Sequence, residues 1–358
     1  MGMIGRLANT SDPRSTTRQA FGETLAGFAP DRPVIVMSHF DADGLSAAAI
    51  LVRALTDAGR AVEPMVLGKG ETPWDEAVRA RLAEREPGGL ILADLGTKAE
   101  AVLPGAPTVV IDHHVPTGEP EGALTLSGNG LEPEPTTSLL AYWAVQALGE
   151  QDDLLWLAAI GAIGDMADEA AFPEIAEAQK RYGKTALRDA VSLVNAPRRT
   201  AAADPAPALR LLLKSNGPKA ITKGDSADAE ALRAAKAEVR TAMEEAKRTA
   251  PIVREEVALI PLDTPCQIHP LIAQQWRGRL KDKVVIAANR GYRPGWVHFA
   301  ARSASGRNLI EFLAEHRPDG ADSRYGNGHA QATGGALPNE LWNSFIAGLG
   351  FPQAQVHA

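Results

Sequence analysis

Residues 34–51, VIVMSHFDADGLSAAAIL, constrain the fold of this chain more than any other stretch. A run of apolar, largely β-branched residues ends abruptly in His39, Asp41 and Asp43, and Gly44 then opens an alanine-rich helical pattern. This order predicts a strand, a sharp turn and a helix. Ligands bind where the strands of an open parallel sheet end, so three potential metal ligands at this turn predict a functional site. The alternative is that the two acidic residues only cap the helix, although one would suffice for a cap.

The composition is that of an ordinary globular protein. A length of 358 residues suggests roughly two domains, and 45% apolar with 23% charged residues is typical of soluble proteins. We find neither a signal-peptide pattern nor an apolar run long enough to span a bilayer, so we expect a cytoplasmic protein with no membrane partner. The single cysteine, Cys266, excludes an intramolecular disulfide and a cysteine zinc cluster. We expect it to be a buried apolar residue rather than a catalytic thiol.

Charge is distributed unevenly along the chain. The formal net charge is -7, which argues against general adhesion to nucleic acid. Residues 178–224 nevertheless hold ten Lys or Arg against two acidic residues, and residues 267–307 hold eight against one. These two stretches either bound an anion-binding cleft or are simply solvated surfaces.

Strands and helices alternate through the first half of the chain. Further strands are predicted at 62–68, 89–95 and 108–111, with a helix at 75–86, which indicates right-handed crossovers and a parallel sheet. The strand at 89–95 contains Asp94 near its end, and the strand at 108–111 runs into Asp112, His113 and His114. Two imidazoles behind a buried strand favour metal ligation, with Asp112 or a carbonyl orienting the ligand.

Another acidic residue follows two apolar helical patterns, at 136–148 and 154–163. The second pattern closes on the segment GDMAD, which contains Asp165 and Asp168. A carboxylate at the end of an apolar helix is costly to bury unless a positive charge compensates it. We favour Asp165 as a ligand because Glu169, beside Asp168, indicates solvent; the role of Asp168 stays open.

These positions together predict a centre for two divalent ions. The candidate ligands are two imidazoles and four carboxylates: His39, Asp41, Asp43, Asp94, His113 and Asp165. Four carboxylates in one place would raise one another's pKa values, so the site needs cations. Oxygen ligands with two imidazoles suit Mn²⁺ first and Mg²⁺ second. Paired ions about 3.5–4 Å apart are typical of displacement at phosphorus, which indicates phosphoester hydrolysis.

The motifs HFDADG, ADLG, DHH and GDMAD, in this order, resemble those of the DHH phosphoesterase superfamily. The resemblance implies that the six residues above bind two Mn²⁺ ions and that His114 faces the substrate phosphate. Asp43, Asp94 and His114 are then the catalytic residues. The His-x-Asp-x-Asp spacing of the first motif is similar to the RecJ-like branch rather than to the pyrophosphatases.

The second half of the chain predicts a smaller α/β domain after a long helix. Residues 226–249 are rich in strong helix formers and are expected to join the domains; a coiled-coil dimer helix is the alternative. Strands at 257–262, 284–288 and 296–301 and helices at 269–280 and 309–315 follow. We therefore predict an N-terminal parallel-sheet DHH domain (1–195), a helical connector (196–250) and a C-terminal substrate-binding domain (251–358).

Two segments of the second domain carry candidate substrate-binding residues. Arg302 and Ser303 end a strand, and YGNGHAQATGG is a glycine-rich loop that either cradles an oxyanion or is a simple turn. Both segments are similar to the DHH-associated C-terminal domain, which implies that Arg302, Ser303, Gly328 and His329 contact substrate. Asn327 interrupts the usual glycine run. No segment remains for the oligonucleotide-binding barrel of longer RecJ enzymes.

The leading hypothesis is a Mn²⁺-dependent RecJ-like phosphodiesterase acting on single-stranded DNA or RNA ends or on short oligonucleotides. The alternative enzyme hydrolyses a small nucleotide, such as a nucleoside bisphosphate or a cyclic dinucleotide. A non-catalytic replication scaffold is the third possibility, but such a protein would be expected to lose ligands. Three aromatic residues among arginines either stack bases or are half-buried packing residues: Trp276, Tyr292 and Trp296.

Overall fold

The computed structural model describes residues 12–165, 167, 171–322 and 324–356. These residues form two compact units. The first contains the described residues up to Arg198 together with Ala203–Ala234, and the second contains Arg199–Ala202 and the chain from Ala235 onward. The division at residue 235 lies within the long helix predicted at 226–249, which the structure forms at Ala227–Ala246.

The first unit is built around a five-stranded parallel sheet with the strand order β2-β1-β3-β4-β5. Its strands are β1 (Val34–Ser38), β2 (Val62–Val66), β3 (Gly89–Ala93), β4 (Thr108–Asp112) and β5 (Leu124–Ser127). Its helices are α1 (Pro13–Leu25), α2 (Ala42–Asp57), α3 (Glu76–Ala83), α4 (Thr137–Val145), α5 (Leu155–Gly164), α6 (Pro173–Tyr182), α7 (Lys184–Val194), α8 (Ala206–Lys214) and α9 (Pro218–Lys223), followed by α10 (Ala227–Ala246).

Both faces of this sheet are covered, which explains its continuous apolar strands. Val34 and Val36 of β1 join the large core that includes α2, α4 and α5. Ile35 and Met37 point to the opposite face, where they join a smaller cluster with residues of α3. A parallel sheet buried on both sides requires apolar residues at consecutive positions, as in β1 and β3.

The predicted α/β class and parallel sheet are confirmed, but several details differ. Strand β5 was not predicted. The apolar periodicity of residues 174–194 is typical of one helix, but the structure forms two, because Gly183 adopts a φ of 90° between α6 and α7. That backbone conformation costs glycine little and interrupts a helix.

The second unit contains a six-stranded mixed sheet with the order β10-β11-β9-β8-β7-β6. Only the β7–β8 pair is parallel among the pairs that the structure describes. Its strands are β6 (Ile252–Arg254), β7 (Val257–Leu262), β8 (Val284–Arg293), β9 (Trp296–Ser303), β10 (Tyr325–His329) and β11 (Ala332–Pro338). Its helices after α10 are α11 (His269–Arg277), α12 (Leu309–Glu315) and α13 (Asn339–Gly348).

The glycine-rich segment YGNGHAQATGG is not the predicted loop. It forms the antiparallel hairpin of β10 and β11, and β11 pairs with β9 along its length. The glycines allow close strand contact: a Cβ at Gly334 would lie 2.4 Å from the Phe299 carbonyl oxygen. Sheet packing therefore accounts for part of this glycine content.

Within the described residues, no helix has both the length and the apolarity needed to cross a membrane.

Candidate metal centre

The candidate ligands gather where three neighbouring strands of the first sheet end. Strands β1, β3 and β4 lie side by side, and His39, Asp94 and His113 follow them directly. Backbone hydrogen bonds continue past the strands, from the His39 N–H to the Ala93 oxygen at 3.2 Å and from the Asp94 N–H to the Ile111 oxygen at 3.1 Å. The sheet itself therefore fixes the positions of the first ligands.

The turn after β1 places an imidazole between two carboxylates. His39 Nδ1 lies 3.1 Å from Asp41 Oδ2 and 3.5 Å from Asp94 Oδ2. Asp41 is also the N-cap of α2, because its Oδ1 accepts the Gly44 N–H at 3.1 Å. Asp41 therefore caps the helix with one carboxylate oxygen, as the alternative predicted, while its other oxygen faces His39. Gly44 permits this tight turn, since a Cβ there would lie 2.6 Å from the His39 carbonyl oxygen.

Asp43 is buried and held by the N-terminus of α4. Its Oδ2 accepts the Thr137 N–H at 2.9 Å and its Oδ1 accepts the Ser138 N–H at 3.0 Å. The Thr137 hydroxyl donates to Asp94 Oδ1 at 3.2 Å. A helix N-terminus stabilises a carboxylate through its free N–H groups and its dipole. Thr137 and Ser138 were not among the predicted site residues; the sequence PTTS at the start of an apolar helix was the available signal.

His113 lies at the centre of the carboxylate group. Its Nε2 lies 3.3 Å from Asp165 Oδ2, 3.7 Å from Asp94 Oδ1 and 3.9 Å from Asp43 Oδ2. The other ring nitrogen, Nδ1, lies 3.6 Å from Glu134 Oε1. The structure thus brings the preferred residue Asp165 into the cluster, whereas Asp168 lies outside the described residues.

Asp112 orients His114 rather than the candidate ligand His113. Asp112 Oδ1 lies 2.9 Å from His114 Nδ1 and accepts the His114 N–H at 2.7 Å, while its Oδ2 accepts the Gly96 N–H at 2.6 Å. The carboxylate nearest to the second nitrogen of His113 belongs to Glu134, which sequence analysis missed. Asp112 thus orients one of the two imidazoles, His114, and Glu134 lies beside the other.

The electrostatics of the cluster are dominated by its buried carboxylates. Burial, followed by the charge of Asp41, raises the pKa of Asp94 well above its usual range, and burial also raises the pKa of Asp43. Loss of hydration and the charge of Asp43 raise the pKa of Asp165 to about 6. At His39, burial opposes the charged form, but Asp41 and Asp94 outweigh it and raise the pKa to about 10. A nearby cation would oppose each of these upward shifts in the carboxyl pKa values.

The donor set fits divalent cations. Two groups of side chains have ligand atoms within 4.8 Å of one another: His39 with Asp41 and Asp94, and Asp94 with His113 and His114. Asp94 belongs to both groups. Carboxylates and imidazoles without a thiolate suit Mn²⁺ or Mg²⁺. Cations would compensate the buried carboxylates, so these residues form a candidate metal site.

Two further residues contact the first motif from the segment after α7. Asn195 Oδ1 accepts the Ala42 N–H at 3.0 Å, and Arg198 Nη1 donates to Asp41 Oδ2 at 2.5 Å. Neither residue was among the predicted site residues. Their distance in sequence from residue 41 left no local pattern to identify them.

The candidate substrate residues of the second unit lie on the β9–β11–β10 side of its sheet. Arg302 Nη1 donates to the carbonyl oxygens of Ala301 and Thr333 at 2.9 and 3.1 Å, and burial lowers the pKa of this arginine. Ser303 is buried and its Oγ lies 2.8 Å from Ser305 Oγ. Gly328 has a φ of 137°, and the following His329 is exposed at the end of β10. Their substrate contacts stay a prediction.

The aromatic residues proposed to stack bases differ in exposure. Tyr292 is buried against His269 and His298, which favours the packing alternative for this residue. Trp276 and Trp296 are half-buried, and each lies beside an arginine.

The single cysteine, Cys266, is buried at 3% exposure, as predicted.

Residues 33–162 match the model of the DHH family, N-terminal domain. This match covers the strands, the turn and the helices that form the site, apart from Asp165. The predicted relationship to the DHH superfamily is therefore confirmed for this part of the chain. A search of curated proteins finds no significant match.

Solved structures show that the RecJ-like fold extends over most of the chain. An exonuclease RecJ bound to manganese is 23% identical, with a TM-score of 0.66 and coverage of 92% of both chains. RecJ from Thermus thermophilus in complex with Mn²⁺ is 24% identical, with a TM-score of 0.68; the match covers 92% of this chain and 53% of that one. CDC45 from Entamoeba histolytica is 8% identical, with a TM-score of 0.55 and coverage of 94% and 98%. At these identities the likeness concerns the fold.

Proposed function

We propose that this protein is a metal-dependent phosphodiesterase that hydrolyses single-stranded nucleic acid ends or short oligonucleotides. The observation that carries the proposal is the convergence of all six predicted ligands at one edge of the first sheet, with Asp94 shared by two groups. The similar RecJ structures contain Mn²⁺ or Mg²⁺, which supports the choice of ion. A scaffold protein would have no need to keep this set of ligands.

The residues that would hold the ions are the six predicted ligands: His39, Asp41, Asp43, Asp94, His113 and Asp165. Bound divalent ions would neutralise charge on the phosphoryl oxygens and make a water more acidic. The protein itself holds Asp43 with the N-terminus of α4 and orients His113 between carboxylates. These contacts limit the movement of the ligands, and such preorganisation is what a catalytic centre requires.

His114 is suited to bind the substrate phosphate. Its hydrogen bond with Asp112 raises the pKa to about 9, so the ring is protonated at neutral pH. Because Nδ1 faces Asp112, Nε2 is left to donate a hydrogen bond to a phosphoryl oxygen or a proton to a leaving oxygen. The side chain is 55% exposed, so a ligand can reach it.

In the second unit we propose that four residues contact the substrate: Arg302, Ser303, Gly328 and His329.

A small nucleotide is the second candidate substrate. The observation that favours it is the formal net charge of -7, which disfavours a long polyanion. Labelled 3-mer and 30-mer oligonucleotides, incubated with Mn²⁺ and compared with a nucleoside bisphosphate and a cyclic dinucleotide, distinguish the two candidates. We expect shortening of both oligonucleotides; an intact 30-mer with rapid turnover of a small nucleotide would favour the second candidate. No hydrolysis of any of these substrates would contradict the proposed activity.

A further inference from the structure

Arg198 occupies a carboxylate oxygen that a metal ion would need. Asp41 Oδ1 is engaged by the Gly44 N–H as the helix cap. Asp41 Oδ2, which faces His39 at 3.1 Å, accepts the Arg198 Nη1 hydrogen bond at 2.5 Å. Both oxygens of this candidate ligand therefore already have donors. A cation that binds Asp41 together with His39 and Asp94 has to compete with the guanidinium.

The Arg198 side chain is only partly held at this position. Arg198 Nε is buried but has no hydrogen-bond partner within the described part of the chain, so the guanidinium is only partly satisfied. Asn195 holds the neighbouring Ala42 N–H independently, at 3.0 Å. The turn after β1 thus keeps its own support when the arginine moves. Burial opposes the charged form of Asp41, but His39 and then Arg198 outweigh it and lower the pKa of this carboxyl.

We propose that Arg198 is an internal cation that competes with the divalent ion for Asp41 and thereby sets the metal affinity of the His39–Asp41–Asp94 group. The inference rests on the proposed metal site and adds to it a residue that lowers its affinity for the ion. A supporting partner would do the opposite: outer contacts that orient a ligand typically increase metal affinity, and their loss weakens binding about 10–100-fold. If Arg198 competes with the ion, its removal should increase the Mn²⁺ affinity; if it supports the ligand Asp41, its removal should decrease that affinity.

Calorimetric titration of the metal-free full chain with Mn²⁺ alone tests this inference. We expect Arg198→Gln to bind at least one Mn²⁺ about tenfold more tightly than the wild type, because a charge-assisted hydrogen bond no longer has to be broken. Arg198→Lys keeps a cation near Asp41 and should remain close to the wild type. Lys219→Gln removes the same charge from an exposed position of α9 and should leave the affinity unchanged.

Two results would overturn the competition, and a third would refute the metal site. Weaker or unchanged Mn²⁺ affinity in Arg198→Gln, with a circular dichroism spectrum like that of the wild type, would overturn the competition. If Arg198→Gln does not fold, a crystal of the wild type with Mn²⁺ gives the answer: the Arg198–Asp41 contact of 2.5 Å should be broken, and an intact contact would overturn the inference. Absence of Mn²⁺ binding by the wild type would instead refute the proposed metal site itself.

Discussion

Gly161 provides a test of the site that does not alter any ligand. This residue lies within α5, where the helix passes the start of α4. A Cβ at position 161 would lie 2.2 Å from Ser138 Oγ and 2.6 Å from Asp43 Oδ1. Non-bonded atoms do not approach this closely, so Gly161→Ala must displace α5, Ser138 or the Asp43 carboxylate. The hydrogen bond from the Ser138 N–H to Asp43, 3.0 Å long, lies at this point.

The expected loss of stability follows from three opposing effects. Alanine in place of glycine favours a helix by about 0.8–1.0 kcal/mol. Overpacking of a tight core costs about 1–3 kcal/mol, and loss of a hydrogen bond to a charged group costs about 1.5–3 kcal/mol. Gly161→Ala should therefore lower the free energy of unfolding by about 1.5–5 kcal/mol. Displacement of Asp43 should also weaken Mn²⁺ binding about tenfold or more.

Urea denaturation of the metal-free protein and calorimetric titration with Mn²⁺ measure the two effects. The matched control is Gly348→Ala, at the end of α13, where a Cβ would meet no atom within 4 Å. The control should leave Mn²⁺ binding unchanged and stabilise the protein by up to about 1 kcal/mol. If Gly161→Ala behaves like the control in both measurements, then the packing of α5 does not hold Asp43 in place.

Three other changes should have defined effects. Asp43→Asn should abolish Mn²⁺-dependent hydrolysis while the circular dichroism spectrum of the protein stays unchanged, because the amide oxygen still accepts one N–H of α4; full activity would contradict the assignment. His114→Gln should lower kcat and remove the loss of activity that we expect as the pH rises through about 9, where the wild-type imidazolium loses its proton. Burial lowers the pKa of His269 to about 3, so the unfolded chain binds the extra proton between pH 3 and about 6.5. Stability should therefore decrease as the pH falls through this window, and His269→Gln should show a smaller decrease in urea midpoints; an unchanged pH dependence would exclude this residue as the cause.

The first half of the fold was predictable because its signals are local. Apolar runs that are followed by acidic residues or histidine mark β1, β3 and β4, and neighbouring parallel strands bring their ends together wherever each lies in the sequence. Six candidate ligand positions followed from this rule and from the DHH motifs. The role of Asp168 could not be predicted in this way, and this residue lies outside the described residues.

The missed contacts are those that depend on distant parts of the chain. Asn195 and Arg198 reach residues more than 150 positions away, and no periodicity links them. Glu134 approaches His113 only after the chain has passed through β5. The glycine-rich segment was misread for a related reason: glycine favours loops locally, whereas here its lack of a side chain lets β11 pack against β9. Pairing with a distant strand overrode the local preference.

Anomalous diffraction from a crystal of the full chain soaked in Mn²⁺ tests the central claim most directly. We predict two anomalous peaks about 3.5–4 Å apart at the carboxyl ends of β1, β3 and β4, with Asp94 within bonding distance of both. Asp94→Asn crystals treated in the same way should lose at least one peak. A soaked wild-type crystal with no peak at these residues, or with peaks only elsewhere, would contradict the proposed metal centre.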